Sequence, residues 1–369
     1  MMATEHTIAL KTGKLSISVL SEDMPLDKLC DFAARINPKR GFLFVSKVLG
    51  RYVPVTPTDM NAIYDRLADK IGELPQPVLF FGFAETAIAL SYGVYRSWER
   101  RHGNSFFVHS TRYVFENANV MTTFTEPHSH APDHVIYTPN NEKIEAAVSE
   151  VKSIVLIDDE CTSGNTLRNA VTALKDTFSN VEKIVPVVLT HWGVGSEAIE
   201  DADIICLLKG DYNFEAQISP QKIQMPNVTG SQKTYDSKMP RNDGRFFLDA
   251  PIDVSKLFSE VKCKNGERIV VVGTGEFVTV PFLLAEYLEK QGAKVSCLAT
   301  SRSPIFEGNA IHSKQIFEDR YGDNMPNFIY NLNQSDFDRI LVCYESPIHM
   351  QSCDPNRLGN LSVESVFFG

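Results

Sequence analysis

The chain has 369 residues, of which 43% are hydrophobic and 22% are charged, and its formal net charge is −10. This length and composition predict a soluble globular protein with two domains, and the acidic balance disfavours nonspecific binding to nucleic acid or anionic membranes. No apolar run reaches transmembrane length, the first residues lack the apolar core of a signal peptide, and the seven cysteines show no CxxC spacing. We therefore expect a cytoplasmic protein with free thiols and no membrane association.

The N-terminal stretch predicts a β-like start, a helix near Leu26 to Ala34, and a strand over Phe42 to Val45. Four cations flank that strand: Lys39, Arg40, Lys47 and Arg51. They are either a solvated face or a set of contacts to the pyrophosphate of a charged substrate. A helix is predicted over residues 59–72.

A strand predicted over Pro77 to Phe83 runs directly into a helix that begins near Ala84. A tight turn between a strand and a helix N-terminus is a common place for an anion. Gly82 and Thr86 are therefore candidate binding residues. Glu85 in the first helical turn either contacts a ligand or favours the helix dipole.

Residues 111–134 follow a predicted strand at Ser105 to Ser110 and have no clean periodicity. A loop this long within a domain is usually functional or disordered. It contains Arg112 and three histidines, His128, His130 and His134. They predict either an active-site lid, a metal site, or surface histidines with no role.

Residues 153–167, SIVLIDDECTSGNTL, contain the pattern most informative for function. A buried parallel strand ends in Asp158 and Asp159, and a turn of small residues leads into a helix with apolar spacing. That turn offers hydroxyls, a glycine and free amides, which suit a phosphate. Its residues are Thr162, Ser163, Gly164, Asn165 and Thr166. The alternative is the strand–turn–helix of an ordinary Rossmann-like domain.

Further strands are predicted over residues 181–190 and 203–209, and residues 210–250 are interpreted as a linker or an extended crossing segment. A second α/β unit begins at Glu267. Its first strand ends at Gly273 and Gly275, but Val278 replaces the third glycine of a dinucleotide loop, which argues against NAD. Arg302 and Ser303 follow the next strand and are candidate anion ligands.

The chain resembles the type I phosphoribosyltransferases of tellurium-resistance (Ter) gene clusters, which carry a C-terminal TRSP domain. The segments that carry the resemblance are NPKRGFLFVSKVLG, GFAETA, STR, EPHSHAPDH, IDDECTSGNT, GTGEF and TSRSP. The implied fold is α/β, with a mainly parallel sheet and an N-terminal hood, plus a second, smaller Rossmann-like domain.

The expected domains are a phosphoribosyltransferase domain over 1–245 and a TRSP-like domain over 250–369. Within the first domain we expect a hood at about 1–75, a core at about 76–210 and an extended segment at 210–245.

The resemblance implies a pentosyltransferase that uses phosphoribosyl pyrophosphate (PRPP) with Mg2+. Asp158 and Asp159 would hold the ribose hydroxyls and approach Mg2+ through PRPP, the turn at 162–166 would hold the 5′-phosphate, and a small molecule, with nitrogen as its attacking atom, would displace pyrophosphate. Arg112, His128 and His130 would act at the reaction centre. The remaining candidate ligands are Gly82, Thr86, Lys47, Arg51, Gly273, Gly275, Arg302 and Ser303.

Enzymes acting on 6-oxopurines have an aspartate where this chain has Thr162, which argues against hypoxanthine–guanine salvage. The rival hypothesis is a PRPP- or nucleotide-sensing regulator without catalysis. The group is associated with a biosynthetic module of the Ter stress response, and partners within that cluster and a homodimer are compatible with the resemblance.

Overall fold

The structure, a computed structural model, describes residues 4–37, 40–116, 118–125, 134–193, 198–199, 202–217, 234–235, 242–318, 326–345 and 354–368. Its helices are α1 Leu26–Leu29, α2 Pro57–Ile71, α3 Ile88–His102, α4 Glu142–Val148, α5 Asn165–Thr177 and α6 Thr279–Lys290, with a 3-10 turn at Gln334–Asp336.

The strands of the first half of the chain are β1 Thr4–Leu10, β2 Gly13–Glu22, β3 Cys30–Ala34, β4 Phe42–Ser46, β5 Val78–Gly82, β6 Ser105–His109, β7 Val114–Phe115, β8 Val120–Phe124, β9 His134–Tyr137, β10 Ser153–Cys161 and β11 Lys183–His191. Those of the second half are β12 Ala198–Ile199, β13 Ala202–Asp203, β14 Leu208–Ala216, β15 Thr234–Tyr235, β16 Arg268–Gly273, β17 Lys294–Ala299, β18 Lys314–Phe317, β19 Asn327–Tyr330, β20 Arg339–Tyr344, β21 Arg357–Leu358, β22 Leu361–Ser362 and β23 Glu364–Phe367.

The chain divides into two compact units, each built from separate stretches of sequence. Unit 1 comprises Met1–Met60, Leu208–Thr229 and Val254–Gly369, and unit 2 comprises Asn61–Leu207 and Gly230–Asp253. The domain boundaries near 245 and 250 expected from the sequence stay a prediction.

Unit 2 is organised around four strands in the order β11-β10-β5-β6, and every pair is parallel. Strands β5 and β6 are buried along their whole length, as expected for continuous apolar runs in a parallel sheet. Helix α3 follows β5 and helix α5 follows β10. The carboxyl ends of these strands therefore form one edge, with two helix N-termini beside it.

Residues 242–248 add an antiparallel contact to the outer strand of this sheet, β6. The backbones of Phe107 and Leu248 exchange hydrogen bonds of 2.9 and 2.8 Å, and the His109 amide donates to the Gly244 carbonyl at 3.1 Å. Gly244 has φ of 123°, and a Cβ there would lie 2.4 Å from the Phe107 ring. Only glycine therefore allows so close an approach to β6.

Unit 1 contains a second parallel sheet, in the order β17-β16-β20-β23, with α6 connecting β16 to β17. Two antiparallel groups, β1-β2-β14 and β3-β4, belong to the same unit. Strands β3 and β4 share an apolar core with residues 305–330. The members of that core are Ala33, Leu43, Val45, Tyr52, Ile305, Ala310, Ile311, Phe328 and Tyr330.

The predicted α/β class with a mainly parallel sheet is confirmed. The predicted helix near residues 26–34 is wrong: only α1 is helical, and Cys30–Ala34 is a strand paired with Phe42–Ser46. Of the two interpretations of 210–250, the linker does not fit β14, which pairs with β2, or residues 242–248, which pair with β6. The extended crossing segment stays a prediction. Among the described residues, no helix combines the length and apolar character that crossing a membrane requires.

Candidate functional site

The acid pair lies at the carboxyl edge of the parallel strands of unit 2. Strand β10 pairs with β5 only as far as Ile157 and Gly82, whereas its pairing with β11 continues to Cys161 and His191. Asp158 and Asp159 therefore extend past the end of β5. Both are half-buried. Asp158 Oδ1 accepts a hydrogen bond of 2.9 Å from the Asp159 amide, which fixes the first carboxylate.

The turn after β10 leads into α5 through a left-handed glycine. Gly164 has φ of 74° and precedes the first helical residue, Asn165, so the free amides of the α5 N-terminus face the turn. Ser163 and Asn165 are exposed, and Thr162 and Thr166 are half-buried. The turn thus provides hydroxyls, amides and a positive helix end in one place.

Arg168 adds a cation that the sequence analysis did not single out. Its Nη1 donates to the Ser163 carbonyl at 2.8 Å and to Asn165 Oδ1 at 3.1 Å. The sequence could have predicted this contact, because Arg168 lies three positions after Asn165 and so returns to the same face of the first helical turn.

The second loop of this edge, residues 83–87, is here named the β5 loop. It joins β5 to α3, and Thr86 in it is half-buried. A Cβ on Gly82 would lie 2.0 Å from Ser91 Oγ, so this glycine is required by the packing of α3 against the strand. The Phe83 amide donates to the Ile157 carbonyl at 3.4 Å, which ties the β5 loop to the strand of the acid pair.

The β5 loop is held by residues that follow β6. Arg112 Nη2 donates to the Ala84 carbonyl at 3.4 Å, and the Ala84 amide donates to Ser110 Oγ at 3.1 Å. Ser110 Oγ lies 2.7 Å from His134 Nδ1. His134 is buried at the start of β9 and stacks on Phe124 with ring centroids 4.6 Å apart.

His128 and His130 lie outside the described residues, so their predicted role stays a prediction. Residues 111–134 are not wholly irregular, because β8 and β9 pair as antiparallel strands at the two ends of the histidine segment. Within the described ranges, no group of three or more histidine, cysteine, aspartate or glutamate side chains is arranged to hold a metal ion.

His109 and Arg245 both contact Asp243, and all three residues are buried. The sequence predicted no role for His109 or Asp243. His109 Nε2 lies 3.4 Å from Asp243 Oδ1, and Arg245 Nη1 lies 3.3 Å from the same oxygen. Burial opposes ionisation of Asp243, but the Arg245 charge and the His109 hydrogen bond outweigh it and lower the pKa of this carboxyl. No local pattern could reveal the contact, because Asp243 lies in a stretch without periodicity.

The remaining predicted site residues belong to unit 1. Gly273 ends β16 and Gly275 follows it, and Arg302 and Ser303 follow its parallel neighbour β17. The Gly275 amide donates to Thr300 Oγ1 at 3.1 Å, so the ends of these two strands are joined. Both Arg302 and Ser303 are half-buried.

Two of the cations predicted near β4 have different environments. Arg51 is buried, and its Nη1 donates to the Gly275 carbonyl at 3.3 Å, which brings it to the carboxyl edge of the second sheet. Lys47 is exposed, and its Nζ donates to the Asp27 carbonyl at 2.7 Å. Lys47 thus serves at least to satisfy a carbonyl of the short helix α1.

Comparisons with known proteins bear on the class of the chain. Residues 29–206 match the family described as phosphoribosyl transferase, and residues 247–358 match the TRSP domain described as C-terminal to such a transferase. No curated protein matches.

Solved structures of adenine phosphoribosyltransferases are among the similar folds. The Trypanosoma brucei enzyme, in complex with AMP, pyrophosphate and ribose-5-phosphate, is 14% identical; the match covers 52% of this chain and 83% of that chain, with a TM-score of 0.36. The Thermoanaerobacter pseudethanolicus enzyme is 16% identical, with 50% and 96% covered and a TM-score of 0.35. The Giardia lamblia enzyme, complexed with 9-deazaadenine, is 15% identical, with 51% and 98% covered and a TM-score of 0.33.

The matched family defines the class as a phosphoribosyltransferase, which is a pentosyltransferase enzyme. The parallel sheet, with an acid pair and a turn before a helix N-terminus at its edge, agrees with this class. In its particular architecture, the chain combines a segment that matches phosphoribosyl transferases, residues 29–206, with a segment that matches the TRSP domain, residues 247–358.

Proposed function

We propose that unit 2 binds PRPP with Mg2+ at the carboxyl edge of β10 and transfers its ribosyl 5-phosphate to a small-molecule acceptor. The observation that carries this proposal is the continuity of β10, the acid pair, the turn at 162–166 and the N-terminus of α5. One strand–turn–helix thereby offers acceptors for sugar hydroxyls directly beside donors for a phosphate.

Each part of PRPP has a matching partner at this edge. Asp158 and Asp159 would accept hydrogen bonds from the ribose 2′- and 3′-hydroxyls. The turn at 162–166, the amides of the α5 N-terminus and Arg168 would hold the 5′-phosphate. The Arg168 guanidinium supports this role because it already spans Ser163 and Asn165.

The pyrophosphate group would lie against the β5 loop and Arg112. This loop begins where β5 ends beside Ile157, so it is adjacent to the acid pair. The carboxylate oxygens of Asp158 and Asp159 are hard donors of the type Mg2+ prefers, and they fit an ion that takes its other ligands from PRPP and water. When bound, Mg2+ would neutralise charge on the leaving pyrophosphate.

The proposed reaction is a displacement at the anomeric carbon. The bond from that carbon to the pyrophosphate oxygen breaks, and pyrophosphate leaves with the electron pair. A nitrogen lone pair of the acceptor forms the new bond, and that nitrogen then loses its proton. The carboxylates and the phosphate turn would contribute by positioning the ribose, which is a major source of rate acceleration in such reactions.

We further propose that the carboxyl edge of the unit 1 sheet holds a ligand group near Gly273, Gly275, Arg302 and Ser303. Its support is chemical: Ser303 Oγ is buried and has no hydrogen-bond partner among the described residues, and a neighbouring arginine suits an anion. Contacts of Lys47 and Arg51 to substrate, lid roles for His128 and His130, and a place in a Ter biosynthetic module are further parts of this proposal.

A thermal-shift experiment with the full chain tests the proposal. PRPP with Mg2+ at about 100 times its Kd should raise Tm by roughly 5–10 °C, because binding to the native state adds about 2.7 kcal/mol. The Asp158→Asn, Asp159→Asn double variant should fold but lose most of that shift.

Glu160→Gln is the matched control, because Glu160 is a half-buried carboxylate on the same strand that has no assigned role. It should retain the full shift. An unchanged shift in the double variant would contradict the assignment of the ribose to the acid pair. A shift produced by PRPP without turnover of any acceptor would favour the rival sensing function.

A further inference from the structure

A chain of buried polar side chains supports the β5 loop from the interior of unit 2. Its members are Arg245, Asp243, His109, Ser110 and His134, and we name it the Asp243 network. All five are at most 2% exposed. They come from three distant stretches of sequence, and none of them was given a role in the reaction above.

Ser110 forms the end of the network that touches the β5 loop. Its amide donates to the Gly82 carbonyl at 3.0 Å, and its Oγ accepts from the Ala84 amide at 3.1 Å. Arg112 holds the Ala84 carbonyl at 3.4 Å. Both polar backbone atoms of Ala84 are therefore occupied by residues that follow β6, so the first turn of the loop is fixed before any ligand binds.

The hydrogen bond of Ser110 to His134 orients the hydroxyl. Because Ser110 Oγ already accepts from Ala84, its own proton can go to His134 Nδ1, 2.7 Å away. The His134 ring is itself held in place, since it stacks on Phe124 and meets the edge of Phe83 at a centroid distance of 6.0 Å.

His109 joins Ser110 to the buried charges. Its Nδ1 lies 2.9 Å from the Ser110 carbonyl oxygen, which can only accept, so Nδ1 donates. Its Nε2 lies 3.4 Å from Asp243 Oδ1, and Arg245 Nη1 donates to the same oxygen at 3.3 Å. The amide of His109 donates to Gly244, so backbone and side chain are both tied to residues 242–248.

We propose that the Asp243 network positions the β5 loop for the pyrophosphate group, with Ser110 and His109 as positioning residues. This inference rests on the proposed function, which assigns pyrophosphate to the β5 loop. A loop that is already ordered binds its ligand without the entropic cost of ordering. The turn that would hold the 5′-phosphate is built from other residues, so the network affects only one end of PRPP.

The test measures the affinity for each end of PRPP separately, by calorimetric titration of the full chain with two probes. Inorganic pyrophosphate with Mg2+ reports the β5 loop, and ribose 5-phosphate reports the acid pair and the turn at 162–166. Ser110→Ala should weaken pyrophosphate binding by about tenfold, as expected when a buried amide loses its acceptor, and leave ribose 5-phosphate within about twofold. Ser110→Thr, which keeps the hydroxyl, should recover most of the loss.

Ser105→Ala is the matched control. Ser105 is buried at the opposite end of β6, and its Oγ has no hydrogen-bond partner among the described residues. The control should bind both probes like the wild type. If Ser110→Ala does not fold, Ser110→Cys carries the same test, because its thiol has similar size and accepts hydrogen bonds weakly.

The possible outcomes separate this inference from the proposed function. If the wild type binds both probes, two results would overturn the inference alone. One is unchanged pyrophosphate binding in Ser110→Ala, and the other is an equal loss of affinity for both probes. If the wild type bound neither pyrophosphate nor ribose 5-phosphate, the proposed function and the inference would both be wrong.

Discussion

Cys161 lies in the middle of the proposed site, between the acid pair and the turn at 162–166. The residue is 3% exposed. Burial, with a smaller contribution from the negative charge of Asp158, raises the pKa of the Cys161 thiol to about 12. A reactive cysteine needs the opposite environment, with a lowered pKa and access to solvent. The structure therefore favours a packing role for Cys161 over a redox-sensitive one.

We predict that Cys161 resists alkylation in the folded protein. Only about one thiol in ten thousand would be ionised at pH 8, because the raised pKa keeps the proton bound far above that pH. Iodoacetamide labelling mapped by mass spectrometry should modify half-buried Cys263 first and leave Cys161 unmodified up to about pH 10. Labelling of Cys161 at a rate equal to that of Cys263 would contradict this prediction.

At the scale of elements, the packing of α3 on β5 fixes the shape of the β5 loop. Gly82 makes this approach possible, because a Cβ on it would lie 2.0 Å from Ser91 Oγ. Gly93 allows a similar approach of α3 to α2, because a Cβ on it would lie 2.0 Å from the Tyr64 ring. Real Cβ atoms cannot approach this closely, so each glycine marks a tight contact of α3 with a neighbouring element.

We predict that Gly82→Ala destabilises the protein by about 1–3 kcal/mol through overpacking against Ser91. Ser91→Gly should cost about 1 kcal/mol on its own as a glycine inside a helix. The double variant should lose less stability than the two single variants lose together, because Ser91→Gly removes the atoms with which the new Cβ collides. Chemical denaturation of all three variants measures the coupling, and strict additivity would show that the two elements relax apart.

Elements with a continuous apolar run were predictable from the sequence, because burial on both faces leaves a strong local pattern. The strand predicted over 77–83 is β5, Val78–Gly82. The predicted helix over 26–34 failed because pairing of β3 with β4, a contact between separate segments, overrides the local preference.

The candidate site likewise has one part that the sequence could predict and one part that it could not. The acid pair, the turn and Arg168 lie on one strand–turn–helix, so their proximity follows from local geometry. Ser110, His134 and Asp243 meet only through tertiary contacts, and a single sequence contains no signal for such contacts.

At the scale of the whole molecule, unit 2 is discontinuous. Residues 242–248 are hydrogen-bonded to β6 through Phe107 and His109, and the side chain of Asp243 is fully buried there. Such a segment should unfold together with the sheet it pairs with, since opening it would expose unpaired backbone groups and a buried charge.

We predict that hydrogen exchange of residues 242–248 has the same protection as that of β6. Mass spectrometry of peptides covering 104–110 and 242–248 should show slow, matched uptake in the full chain, with one shared dependence on denaturant. The amides of Asp249 and Ala250, which are exposed and lie outside the strand pairing, provide the internal control and should exchange faster. Rapid uptake over 242–248 would show that the segment opens independently of the sheet.

The late return of residues 242–248 also has a consequence for biosynthesis. The four parallel strands of unit 2 have all been translated once His191 is added, but the partners of Phe107 and His109 follow on the order of seconds later at ordinary elongation speeds. Until then the nascent chain on the ribosome has an unpaired edge of β6, and His109 lacks its carboxylate partner Asp243. Chaperone binding should therefore matter most during this interval, and slow codons between positions 192 and 242 would lengthen it.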